Sequence, residues 1–248
     1  MGVTARHSNP LVPAGIGIVA AMVLLGAVGA TSFRDGNLAL LLGYLCVWVP
    51  LLVAIGVTAI GVGHAAGEQR GAAVRFLRLS IRPIDLVWGL AIGLLTRTAA
   101  SLIELGIYGS IGTSGVSFGE TVYDLWWLFG ALLAPVLLAP FVEELFFRGL
   151  VLRAVYGQAA AAQDARPPHS GGTAGMIAVA VSGLTFALMH LVTIEVGNPQ
   201  TIVVVGVSTL IFGLAAASVS LATGRIGGAI VAHVTFNGLV VVPALLAF

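Results

Sequence analysis

Apolar residues run along this chain in long unbroken blocks, and the polar positions fall mostly between them. Seven blocks stand out, near residues 11–31, 38–63, 84–108, 126–154, 173–193, 200–222 and 226–247. Most approach or exceed the roughly 20 residues that a helix needs to cross a bilayer. In hydrocarbon every backbone amide must find its partner within the protein, which leaves only helices and closed barrels. The short alternating strands of a barrel are not visible in the pattern. It predicts an all-α fold, a polytopic transmembrane helix bundle of about seven spans. The first block follows Arg6 and ends in "AVGATS", a combination that resembles a signal peptide. Because it is long enough to span, it is read as a retained first helix.

The segments between the blocks differ in character. The connector 64–83 holds Arg70, Arg75, Arg78 and Arg82 interleaved with Val74, Phe76 and Leu77, the arrangement of an amphipathic turn on a membrane surface. The connector 155–172, with "RPPHSGG", reads as a soluble loop. No fixed-period repeat is evident. Two regions follow: residues 1–125, with three spans and the basic loop 64–83, and residues 126–248, with four spans. Cytoplasmic loops collect Lys and Arg. With the N-terminus inside, Arg6, Arg70, Arg75, Arg78, Arg82, Arg153, Arg166 and Arg225 share the cytoplasmic side, against Arg34 alone outside. The expectation is a multi-pass cell-membrane protein with a cytoplasmic N-terminus.

Composition sharpens this picture. Of 248 residues, 58% are hydrophobic and 8% charged, whereas a soluble domain carries about 25% charged residues. A net charge of +1 supplies no nucleic-acid face and no call for an acidic partner. The single cysteine, Cys46, lies in an apolar block, which excludes an intramolecular disulfide and a thiolate metal cluster. All basic residues other than histidine are Arg. This usage and the compact size suggest a bacterial inner membrane.

Ionisable groups inside spans are costly and tend to face a bundle interior or a wet cavity. Here they are Arg97, Glu104, Glu143, Glu144, Arg148, His190 and His233, with the amide of Asn237 beside them. In "APFVEELFFRGL", Glu144 and Arg148 are four apart and share a helix face, so they can pair. Glu143 is turned about 100° from Glu144 and has no basic residue four positions away on either side. Pro140 removes a backbone donor and frees the carbonyl of Val136; with Pro135 it should bend the helix beside the carboxylates. Spacing four recurs in "FALMH", Phe186 and His190, and in "HVTFN", His233 and Asn237. A carboxylate, two histidines and an amide on three helices supply a base, a proton carrier and hydrogen-bond donors, the set that hydrolysis needs. Taken singly, each has a plainer reading: a lone Glu–Arg pair is often structural, and a buried His or Phe186 often just packs. Arg97 and Glu104, about two turns apart, read as a structural pair or cavity lining.

The ordered triple "EELFFR", "FALMH" and "HVTFN" resembles the CAAX-protease and bacteriocin-processing (Abi) family of intramembrane endopeptidases. The resemblance covers roughly residues 126–242; the first three spans match nothing specific. It implies proteolysis within the membrane of a membrane-embedded or lipidated peptide or protein. By the resemblance Glu143 acts as general base on a water and His190 shares the proton work. His233 and Asn237 hold the oxyanion, while Glu144, Arg148 and Phe186 support them. No cofactor is required by that mechanism. The alternative is a zinc site on Glu143, His190 and His233 with an open fourth position, although H-E-x-x-H is absent. Two non-proteolytic readings remain: an immunity or scaffolding protein of the same fold, and a small proton-coupled transporter, whose internal symmetry is not visible.

One tension accompanies this set. At 1.5 Å per residue Glu143 lies about 15 Å, and His233 about 10 Å, from the cytoplasmic ends of their spans, while His190 lies near the outer end of its own. Either the span ends differ from those drawn or "LVTIEVGNP" folds back toward the site.

Overall fold

The protein is described here by a computed structural model covering residues 9–31, 33, 35–67, 69–111, 124–164, 172–192, 194 and 198–246. The described residues form eight helices and no strand: α1 (Leu11–Gly29), α2 (Gly36–Ala66), α3 (Gln69–Leu77), α4 (Pro83–Tyr108), α5 (residues 125–164), α6 (Thr173–Val192), α7 (Pro199–Thr223) and α8 (Gly227–Leu246). Six of them, α1, α2 and α4 through α7, are long and apolar enough to cross a bilayer. The seventh apolar block is helical too, with a shorter apolar stretch at Gly227–Val242. The polytopic helix bundle is thus as expected.

Local sequence sets the helix ends. Asp35 caps α2 by accepting from the amides of Asn37 and Leu38, and Asn198 caps α7 by accepting from Gln200, with Pro199 in the first turn. Gly67, Gly109 and Gly224 close α2, α4 and α7 in left-handed backbone conformation. The basic connector folds as α3, which packs on α2 and on α5.

Long apolar side chains cover the outside of α1, α2 and α4: Val12, Ile16, Val19 and Val23 on the first, Val53 and Val57 on the second, Leu94, Leu95 and Leu102 on the third. Water would not tolerate so continuous an apolar surface; a lipid interior does. Inside the bundle α6 packs along α7 and α8 along α4. Small residues bring these pairs close, as in many membrane helix contacts. A Cβ on Gly213 would stand 2.9 Å from the carbonyl oxygen of Gly183.

Helix α5 is where the structure departs most from the pattern. It continues to Asp164, ten residues past the expected end at 154, and two stretches, Leu128–Leu138 and Leu145–Val151, are π-helical. The Ala139 amide bonds back five residues to Ala134 and that of Leu152 to Phe147. In this wider register Pro140, lacking an N–H, deprives the carbonyl of Pro135 rather than that of Val136. The expected proline disturbance is present, displaced by one residue.

Basic residues from α5 and from two connectors gather at one end of the bundle. Arg225 makes two hydrogen bonds to Asp85, at 2.7 and 3.0 Å. The Arg78 carbonyl accepts from the Ile226 amide, and Arg153 donates to the Ser220 carbonyl at 2.7 Å. Arg6, Arg34 and Arg166, used above for orientation, lie outside the described residues, as do "RPPHSGG" up to Gly171 and part of "LVTIEVGNP".

Candidate active site

Two adjacent glutamates on α5 serve two different neighbourhoods. Glu144 is fully buried, and its Oε1 accepts from Arg148 Nη1 at 2.8 Å and from His233 Nδ1 at 2.9 Å. The Arg148 guanidinium, also fully buried, gives its Nη2 to the Gly213 carbonyl at 3.2 Å. It lies 4.5 Å from the centroid of Phe186, with Phe212 at 5.7 Å and Phe147 at 5.9 Å. Aromatic faces attract a cation strongly when water is excluded. One carboxylate, one carbonyl and three rings therefore compensate the buried charge.

Glu143, turned away from that pair, faces two histidines. Its Oε2 is 3.8 Å from His190 Nε2 and 3.9 Å from His233 Nε2, and it is buried without accepting a hydrogen bond. The other nitrogen of each ring is occupied. His190 Nδ1 lies 2.9 Å from the Phe186 carbonyl one helical turn back, and His233 Nδ1 meets Glu144. A carbonyl and a carboxylate both accept, so each Nδ1 carries a hydrogen, and each Nε2 is turned toward Glu143. Three polar atoms thus converge at separations too long for direct hydrogen bonds and suited to one bridging water.

The same donor set raises the zinc question. Tetrahedral zinc with ligands at about 2.0–2.1 Å holds its donor atoms about 3.3 Å apart. The Glu143 oxygen stands 3.8 and 3.9 Å from the two nitrogens, about half an ångström wider. Among the described residues no group of three or more His, Cys, Asp or Glu forms a metal-holding cluster. The side chains as placed do not close around zinc, and no step below runs through a metal.

Asn237 sits one turn after His233 on α8 and gives an Nδ2 hydrogen to the Pro135 carbonyl at 2.7 Å. That is the carbonyl left without a partner by Pro140 in the π register. The bond fixes the amide against α5 and leaves its second N–H for another acceptor. His190 and Asn237 border a cavity of about 280 Å³ between α4, α6, α7 and α8, whose wall also includes Pro135, Arg97 and Glu104.

The structure thus brings together Glu143, Glu144, Arg148, Phe186, His190, His233 and Asn237 from three helices. A fourth helix, α7, supplies Phe212 and Gly213, which the sequence did not single out. Phe212 lies 4.7 Å from the His233 ring and 5.6 Å from Phe186. No charged residue marked them within their apolar block. Helix α5 continues ten residues past the span end drawn at 154, although Arg153, bonded to the Ser220 carbonyl, still stands at the end of the bundle. His190 lies 17 residues from the start of α6, and its Nε2 stands 3.8 Å from Glu143 Oε2.

Comparison with known proteins agrees with the three motifs. Residues 125–239, a little under half of the chain, match the family model described as type II CAAX prenyl endopeptidase, Rce1-like. The match covers the region that carries the three motifs, and it supports a CAAX-type intramembrane endopeptidase in general. No curated protein and no solved structure matches the chain.

Proposed function

We propose that the protein, whose residues 125–239 match the Rce1-like family model, hydrolyses a peptide bond of a membrane-associated or lipidated substrate with water activated at Glu143. The observation that carries this reading is the convergence of Glu143 Oε2 and two histidine Nε2 atoms at 3.8 and 3.9 Å. Glu143, Glu144 and Arg148 together sum to one negative charge, so one proton shared with the histidines brings the buried cluster to neutrality, the state a low-dielectric site favours. Held on His233, that proton makes an imidazolium backed by Glu144, much as a carboxylate backs the histidine of a hydrolase triad.

The steps follow from those positions. Glu143, aided by His190, takes a proton from water as the water oxygen attacks the scissile carbonyl carbon. The resulting oxyanion is held by His233 Nε2–H and by the second Asn237 N–H, whose first is tied to Pro135. Collapse breaks the C–N bond, and the proton now on Glu143 passes to the leaving amine. Glu144, Arg148, Phe186 and Phe212 hold the frame. In this proposal the chain lies across a cell membrane with its N-terminus cytoplasmic, as the arginine count predicts.

The test uses detergent-purified protein and a reporter peptide. Glu143→Gln and His190→Ala should each abolish cleavage, and cleavage that survives either change would sink the mechanism. A stoichiometric zinc, with activity lost to chelator and restored by metal, would replace it with the metal reading.

A further inference from the structure

The Arg97–Glu104 pair on α4 lies outside the matched region, yet it borders the cavity that reaches His190 and Asn237. Arg97 Nη2 bonds Glu104 Oε1 at 2.7 Å, its Nε bonds Ser101 Oγ at 3.3 Å, and its guanidinium lies 5.6 Å from the Phe236 ring. The cavity is otherwise mostly apolar, with Val204, Val205, Val240 and Val241 in its wall. A second observation comes from α7. The Oγ of Ser208, in the same wall, is buried and has no hydrogen-bond partner among the described residues, and the residue is 7% exposed. Buried hydroxyls are rarely left unpaired, which points to a polar ligand group in this space.

The charges define that group. One cation and one anion in contact leave this wall formally neutral. A carboxylate entering beside Arg97 would also stand beside Glu104, an added negative charge in a poorly solvated space, which is unfavourable. A peptide amide brings one acceptor and one donor without charge. Its carbonyl can take a hydrogen from the guanidinium, and its N–H can be given to Glu104 or Ser208. The valines suit apolar side chains on either side.

We propose that this cavity binds substrate beside the scissile bond, that Arg97, Glu104 and Ser208 recognise a backbone amide within it, and that the substrate is engaged along an uncharged internal segment rather than by a free C-terminal carboxylate. The proposal rests on the peptidase reading only in taking a peptide as the ligand.

The test measures binding apart from turnover. Full-length protein carrying Glu143→Gln is titrated in detergent with a fluorescent Val/Ala peptide made in two forms, C-terminal acid and C-terminal amide. The amide form should bind at least as tightly as the acid. Arg97→Gln should weaken its binding about tenfold to a hundredfold, and Ser208→Ala roughly twofold to tenfold, the range for a charged and a neutral hydrogen bond respectively. Acid binding tenfold tighter than amide, with the preference lost in Arg97→Gln, would overturn the proposal in favour of a carboxylate anchor. Equal affinity in both variants, or no binding of either peptide, overturns it as well. Wild-type protein that binds the peptide but never cleaves it refutes the peptidase reading and leaves the subsite standing. Cleavage indifferent to Arg97 and Ser208 refutes the subsite and leaves the peptidase.

Discussion

Two arginine–glutamate pairs of nearly equal length do unlike work in this bundle. Arg148–Glu144 measures 2.8 Å with both side chains fully buried, whereas Arg97–Glu104 measures 2.7 Å with the arginine 11% exposed. The first pair is enclosed by Phe147, Phe186 and Phe212 and is tied onward to His233 and to the Gly213 carbonyl. The second has one ring, that of Phe236, beside it and a cavity in front of it. A contact distance therefore says little about a pair's role; what surrounds it decides. The enclosed pair lies in the region that the Rce1-like family model matches and holds a histidine in place. The open pair lies outside that region.

The largest expected effect sets Glu143 apart from both pairs. Glu143→Gln should lower kcat about 10²–10⁴-fold, the usual range for losing a general acid–base group. It should leave thermal stability unchanged or slightly higher, because the substitution removes a buried carboxylate oxygen that accepts no hydrogen bond. Activity and melting temperature measured on one preparation check both halves, and a large drop in stability would place Glu143 in the frame instead. The next effect breaks the comparison directly. Arg148→Leu leaves Glu144 charged and buried and should cost about 3–5 kcal/mol, the range for breaking a buried pair. Arg97→Gln should cost less, about 1.5–3 kcal/mol or below, the worth of one charged hydrogen bond. Chemical denaturation in detergent ranks them; equal losses would mean that both pairs are frame. Asn237→Ala comes next in activity, with kcat down about 10²–10³-fold through loss of an oxyanion donor. Asn237→Asp should do no better, since a carboxylate cannot give an N–H to Pro135.

Much of this was legible from spacing. Positions four apart share a helix face, so the Glu144–Arg148 and Phe186–His190 contacts could be read directly, as could the isolation of Glu143 from Arg148. Which helices meet could not be read, because an apolar block carries no marker for the neighbour it packs against. Phe212 and Gly213 stayed invisible for that reason, though one faces His233 and the other receives Arg148. The π register of α5 was equally hidden. Pro135 and Pro140 announced a disturbance, but a shift from four-residue to five-residue bonding moved the orphaned carbonyl from Val136 to Pro135, and the Ala139–Ala134 bond and the Asn237 contact reveal it. The connection between His233 and Glu144 also escaped, since 89 residues separate them. Arg97 and Glu104 were correctly seen as sharing a face, yet spacing alone does not distinguish a closed pair from one that lines a cavity.

The smallest effect sharpens the contrast between the matched region and the N-terminal helices through glycine. On Gly213 a Cβ would approach the Gly183 carbonyl oxygen at 2.9 Å, its Cα at 3.1 Å and Phe186 Cδ1 at 3.3 Å. Two of these neighbours are backbone and the third is a ring held over Arg148, so none can yield without moving α7 from α6. Gly213→Ala should therefore cost about 1–3 kcal/mol, the usual penalty for overpacking, and should lower activity by shifting the carbonyl that receives Arg148. Gly106, in α4, has nothing within 4 Å of the same added atom. There alanine should stabilise the helix by roughly 0.5–1 kcal/mol through lost backbone freedom in the unfolded chain. Denaturation midpoints of the two variants should fall on opposite sides of the parent. A Gly213→Ala protein as stable and as active as the parent would show that the α6–α7 contact has slack, and that the site does not depend on the close approach of these two helices.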